Sequence, residues 1–162
     1  MSHSTAIYDF HNKPRAYSEL ASALRGLLQG ESDRIANAAN TAALLFDALP
    51  AVNWVGFYFL QGEELVVGPF QGKPACVRIA LGRGVCGAAA QRRQTMLVSD
   101  VHAFPGHIAC DAASNSEIVV PLLQGAALLG VLDVDSPSLA RFDAQDERGL
   151  EMLAQIFIES LS

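Results

Sequence analysis

The chain has 162 residues, 51% of them hydrophobic and 17% charged, which fits one domain with a real core and argues against disorder or a second ordinary domain. A formal charge of -6 with no Lys/Arg cluster lacks the basic face that phosphate binding needs, so nucleic acid is not an expected partner. The apolar runs fall well short of the ~18 residues of a membrane span, and Met1 to Phe10 carries no secretion pattern.

A first helix is expected over Ala16 to Leu28, where Tyr17, Leu20, Ala21, Leu24, Leu27 and Leu28 recur at helical spacing and Gly30 supplies a stop. A second starts near Ser32 or Asp33 and runs to Leu49, with Ile35, Ala38, Ala39, Ala42, Leu45, Phe46 and Leu49 drawing an apolar stripe ahead of Pro50. From Asn53 the periodicity changes. Trp54 to Leu60 is aromatic and β-branched, Gln61-Gly62-Glu63 is a turn, and Glu64 to Phe70 returns, which together read as a hairpin. Gln71-Gly72-Lys73-Pro74 breaks the chain before another strand, Cys76 to Ala80. LGRGVCGAAAQRR then feeds a short helix from about Val85 to Arg93, with glycine spacing that does not fit a dinucleotide fingerprint. Met96 to Ser99 is a short strand.

Next comes VHAFPGHIACDAASNSEIVVP, Val101 to Pro121, a long loop that turns abruptly into a buried strand. Long loops in compact chains usually have a task, because irregular backbone costs ordering entropy and buries little. This one carries Cys110, flanked by His107 and Asp111, and delivers Glu117 at the mouth of the next strand. A sulfur nucleophile and a carboxyl on one loop suggest thiol or redox chemistry. The three cysteines, with no signal segment, read as cytosolic thiols and not as a disulfide framework. Cys86 sits at a glycine-rich helix start, where exposed N–H groups and the dipole are expected to lower its pKa. His107 is either a base for Cys110 or, preferably, a turn-stabilising or solvent-facing residue.

Strands Glu117 to Leu122 and Ala126 to Asp133 pair across Gln124-Gly125, and Asp133-Val134-Asp135-Ser136-Pro137 closes the sheet. Asp133 and Asp135 lie two apart and so share a face of an extended chain; the bland alternative is a solvated strand end with Asp135 in a turn. Trp54 is either a core aromatic or a site residue, and Tyr58, four on, shares its face. Asp143 caps a last helix with Leu150, Leu153, Ala154, Phe157, Ile158 and Leu161 inward. Hairpin strands with helices gathered at the chain ends imply an α+β domain with a central antiparallel sheet.

The block Glu117 to Pro137, EIVVPLLQGAALLGVLDVDSP, resembles the C-terminal half of a GAF domain. Three cysteine-bearing segments, GPFQGKPAC, GRGVCG and FPGHIACDAASNSEIVVPL, together with NWVGFYF and LDVDSP, resemble the free methionine-(R)-sulfoxide reductases over most of the chain. Ala88 departs from the pattern, standing where many relatives have a hydroxyl residue. The resemblance implies a single GAF-like domain over residues 1–162, with a lead-in at 1–15, two helices within 16–49, a sheet with inserted helix and loop over 53–133, and a C-terminal helix at 143–161. Helices would cover one face of the sheet and a ligand pocket would lie on the other.

Sulfoxide reduction needs a thiolate to attack sulfur, an acid to protonate the departing oxygen, and a second thiol to capture the resulting sulfenic acid. By resemblance, Cys110 attacks, Cys76 resolves, and Cys86 is an alternative resolver or an ancillary packing residue. Glu117 and Asp135 would polarise the sulfoxide and Asp133 would hold the substrate ammonium. Trp54 would face the methyl group, Tyr58 would border the pocket, and backbone N–H groups around His107 to Cys110 would meet the carboxylate. The same resemblance implies free methionine sulfoxide as substrate, selectivity for the R epimer, a thioredoxin-like dithiol reductant, no cofactor or metal, a homodimer and a cytoplasmic location. Two rivals stand beside it. One is a non-catalytic, ligand-sensing GAF domain. The other is a zinc site from Cys76, Cys86, Cys110 and His107, disfavoured by the absence of a CxxC pair and by the wide spacing.

Overall fold

The unbroken apolar run of β1 (Trp54–Gln61) arises because both faces of this strand are covered. In the computed structural model, which describes residues 7–108 and 113–162, β1 lies inside a six-stranded antiparallel sheet. Its other strands are β2 (Glu64–Gly72), β3 (Arg78–Ala80), β4 (Met96–Val98), β5 (Ser116–Gln124) and β6 (Ala127–Ser136), in the order β3-β2-β1-β6-β5-β4. The edges are the two three-residue strands, which leaves little unpaired ladder to template aggregation.

Helices α1 (Lys13–Leu28), α2 (Arg34–Ala48) and α4 (Ala144–Ser160) cover one face. Val55, Phe57 and Phe59 of β1 point that way, together with Ile118, Val120, Leu132 and Val134 of β5 and β6. Trp54 and Tyr58, with Val119 and Val131, point to the other face, where α3 (Gly84–Arg92) packs. The α+β architecture with its central antiparallel sheet is as expected, but α3 shares the pocket face.

Local chemistry sets the element ends. Asn12 and Asp33 cap α1 and α2 by accepting from the backbone N–H of Arg15 and Ala36, so α1 opens at Lys13, a turn before the first apolar residue of its stripe. The expected stripes on these helices are too wide. Leu27, Ile35, Ala39 and Phe46 are exposed, while Asn37 and Thr41 are buried on α2. Both polar residues are hydrogen-bonded: Asn37 Nδ2 donates to the Glu31 carbonyl at 2.8 Å and to Ser160 Oγ, at the end of α4, at 3.0 Å, and Thr41 Oγ1 donates to the Asn37 carbonyl at 2.7 Å. β3 starts at Arg78, later than the expected Cys76, and a 3-10 turn occupies Val101–Ala103 inside the expected loop. β6 continues through Ser136, so Asp135 is a ladder residue paired with Trp54 and Glu117, not part of a turn.

The chain ends are joined by a buried carboxylate. Asp146 is fully buried; it accepts from Tyr17 Oη at 2.7 Å, Lys13 Nζ at 2.7 Å, Arg141 Nη1 at 3.4 Å and the Asp143 backbone N–H at 2.9 Å. Asp143 and Asp146 complete a capping box on α4. Tyr17 fits because Gly149 faces it: a Cβ there would lie 2.2 Å from Tyr17 Cγ, against a ring held in the core. Gly149→Ala is therefore expected to lower the urea midpoint by the equivalent of about 1–3 kcal/mol of overpacking, despite the ~1 kcal/mol that alanine gains in a helix. Asp146→Ala, which strands a cation pair and a tyrosine hydroxyl, should cost about 3–5 kcal/mol. An unchanged midpoint in either variant would contradict this packing.

Candidate active site

Strand register builds the site. Trp54 pairs with Asp135 and Gly56 with Asp133 across β1 and β6, while Glu117 pairs with Asp135 across β5 and β6. Cross-strand partners share a face, so Trp54, Asp135 and Glu117 form one row, with Gly56 and Asp133 in the row beside it. All the carboxyls of this group line one cavity. Trp54, Tyr58, Arg83, Cys86, His107 and Ser114 also line it.

The aromatic wall is fixed from several sides. The Trp54 ring stacks on Phe70 at 5.1 Å and on Tyr58 at 5.8 Å between centroids, and its Nε1–H donates to the Lys73 carbonyl at 3.1 Å. Tyr58 Oη donates to the Cys76 carbonyl at 3.0 Å. Gly56 is what lets the Trp54 ring lie down: a Cβ there would sit 2.6 Å from Trp54 Cη2 and 2.3 Å from the Phe70 Cβ. Trp54 is thus both core and cavity wall, 2% exposed and still lining the pocket.

The electrostatics are dominated by burial of like charges. Asp133 is buried, and its carboxyl is pushed well above the usual range by desolvation and then by Asp135 and Glu117. Its Oδ1 has no hydrogen-bond partner among the described residues. Cys86 Sγ lies 3.9 Å from Glu117 Oε2, at the start of α3. The expected lowering of its pKa is reversed: burial first, then Asp133, Glu117 and Asp135, push the thiol up, outweighing the helix start. The Tyr58 hydroxyl is likewise pushed up, by burial and then by the Asp133 charge.

Not every expected residue is brought together here. Cys76 is half-buried and disulfide-bonded, just ahead of β3, whereas Cys86 is a free thiol in the cavity wall. Cys110, with Asp111 and the backbone N–H groups of Ala109 and Cys110, lies outside the described residues. His107 faces the cavity and its ring meets His102 edge-on at 5.8 Å. Two polar lining residues, Arg83 and Ser114, were not singled out from sequence. Arg83 stands inside GRGVCG, where its charge among glycines was the available signal; Ser114, bonded to Asn53 Nδ2 at 3.2 Å, sits in a run of small residues with nothing to mark it.

Comparison with known proteins agrees with this architecture. The GAF domain family matches residues 24–160. The Escherichia coli free methionine-R-sulfoxide reductase is 54% identical over 142 residues, covering 88% of this chain and 86% of that protein. The structure of the free methionine-R-sulfoxide reductase from Neisseria meningitidis in complex with its substrate superposes with a TM-score of 0.92 at 43% identity, covering 99% and 96% of the two chains. A Burkholderia vietnamiensis structure described as a GAF sensor protein gives 0.89 at 63% identity, covering 92% and 95%. On fold and on sequence alike, this chain belongs to the GAF-domain family and, within it, to the free methionine-R-sulfoxide reductases.

Proposed function

We propose that this protein reduces free L-methionine (R)-sulfoxide to methionine by a thiol mechanism recycled by a dithiol. The observation that carries the proposal is one cavity with an aromatic wall and a cluster of buried carboxyls, with an unpartnered acceptor at Asp133. Such a cluster raises the cost of ionising its own carboxyls and favours a cation. The ammonium of a free amino acid supplies that cation, and its N–H groups suit Asp133 Oδ1. Glu117 and Asp135, in the adjoining row, take the sulfoxide oxygen, and Trp54 takes the methyl group. A peptide-bound methionine sulfoxide lacks the ammonium, which accounts for selectivity toward the free amino acid.

In the proposed sequence, the Cys110 thiolate attacks the sulfoxide sulfur as a carboxyl proton moves to the oxygen. The S–O bond breaks as the protonated oxygen passes to Cys110 Sγ, the transient bond between the two sulfurs breaks with its electron pair staying on methionine, and methionine leaves with Cys110 as a sulfenic acid. The Cys76 thiol attacks that sulfur, releasing water and forming a disulfide, which a thioredoxin-like dithiol reduces. That Cys76 forms a disulfide while Cys86 is a free thiol of raised pKa supports Cys76 as the resolver and Cys86 as ancillary. A cytoplasmic location, where such dithiols are kept reduced, belongs to the same reading. So does a homodimer, for which the exposed Leu27, Ile35 and Phe46 are candidate contacts; Ile35→Glu should then shift sedimentation toward monomer, and an unchanged dimer would remove that surface from consideration.

With purified full-length protein, Cys110→Ser should release no methionine even in a single turnover. Cys76→Ser should release one methionine per chain and then stall in the presence of dithiol. Near-normal single-turnover yield from Cys110→Ser would overturn the nucleophile, and tight sulfoxide binding by the wild type with no turnover would favour a sensor. Asp133→Asn should lose activity yet gain stability. A carboxyl whose folded pKa is raised contributes stability below its unfolded pKa, near 4, and loses it as pH climbs through the raised value. The melting temperature of Asp133→Asn should therefore exceed wild type at neutral and alkaline pH, and the advantage should fade toward pH 4. A difference that did not vary with pH would contradict the buried-charge assignment.

A further inference from the structure

The cavity wall holds a donor set that the proposed chemistry does not use as a set. Cys86 Sγ and one carboxylate oxygen each from Glu117 and Asp133 lie within 4.8 Å of one another, and all three residues are buried. The sulfur and the Glu117 oxygen are 3.9 Å apart. Zinc bonds of ~2.3 Å to sulfur and ~2.1 Å to oxygen, at a tetrahedral angle, place such donors about 3.4–3.6 Å apart, so the set needs to close by about 1.4 Å at most. A second observation points to a ligand independently: Asp133, 5% exposed, turns into the cavity an oxygen without a hydrogen-bond partner among the described residues.

We propose that Cys86, Glu117 and Asp133 form a binding site for a thiophilic divalent cation, Zn²⁺ or its probe Cd²⁺, inside the cavity. Binding converts the Cys86 thiol to a thiolate, and its proton leaves to solvent. One soft sulfur and only two carboxylates select against Mg²⁺ and Ca²⁺, which require larger all-oxygen sets. The ion occupies the carboxyl that the substrate ammonium is proposed to use, so it excludes substrate; this competition, but not the binding, rests on the proposed reductase function.

The test uses the full chain with Cys76→Ser and Cys110→Ser, which leaves Cys86 as the sole thiol of the three in the sequence. Titration with Cd²⁺ should give a saturable thiolate-to-cadmium charge-transfer absorption at one ion per chain, with proton release. Adding Asp133→Asn should weaken binding at least tenfold, and Cys86→Ser should abolish the absorption. In reduced wild-type protein, equilibrium with Zn²⁺ should protect Cys86 from alkylation, read by mass spectrometry. A folded double variant with no absorption overturns the site, as does an affinity that Asp133→Asn leaves unchanged. Free methionine sulfoxide should displace the ion; retention at saturating sulfoxide overturns the competition. Failure of the reductase proposal shows elsewhere, as absent turnover, and leaves this titration unaffected.

Discussion

The pairing register of β1 with β6 is the constraint on which the molecule turns. Opposite faces of these strands have opposed requirements: Val55, Phe57, Leu132 and Val134 must meet the helices, and Trp54, Asp133 and Asp135 must meet the cavity. A slip of one residue would drive both carboxylates into the apolar layer beneath α1, α2 and α4. Desolvating them there without partners would cost several kcal/mol each. The apolar face therefore holds the polar one in place, and the same hydrogen bonds serve core and site together.

Asp133 and Asp146 show two outcomes of burying an aspartate. Asp146 is surrounded by Lys13, Arg141 and Tyr17, and ties the first helix to the last. Asp133 faces Asp135, Glu117 and Cys86, and among the described residues one of its oxygens bonds to nothing. The first arrangement is self-sufficient. The second leaves a buried acceptor turned toward the cavity, which is how a candidate site differs from a structural network.

Much of this was legible because the strand period of two sorts residues by face even where, as in β1, the apolar run is unbroken. The alternation through Trp54 and Tyr58, and the two-residue spacing of Asp133 and Asp135, placed these residues on one face before any coordinates. The identity of the facing elements was not legible. That α3 packs on the cavity side depends on where the chain crosses the sheet, and no local pattern encodes it. The width of the helical stripes misled for a related reason: Ile35 and Phe46 fit the spacing, but small residues at 38 and 42 with hydrogen-bonded Asn37 and Thr41 carry the contact instead. The direction of the Cys86 shift was missed because a helix start is visible in sequence, whereas three carboxyls arriving from β5 and β6 are not.

Gly56 has one more effect. Because nothing projects from it, the indole above lies against bare backbone, and the floor of the chamber is as low as a polypeptide allows. Room for a larger guest cannot be gained by trimming beneath the ring; it must come from elsewhere in the lining, where the exposed Arg83 and half-buried His107 stand. Divergence in what such a chamber admits is thereby steered toward these positions while its base stays the same.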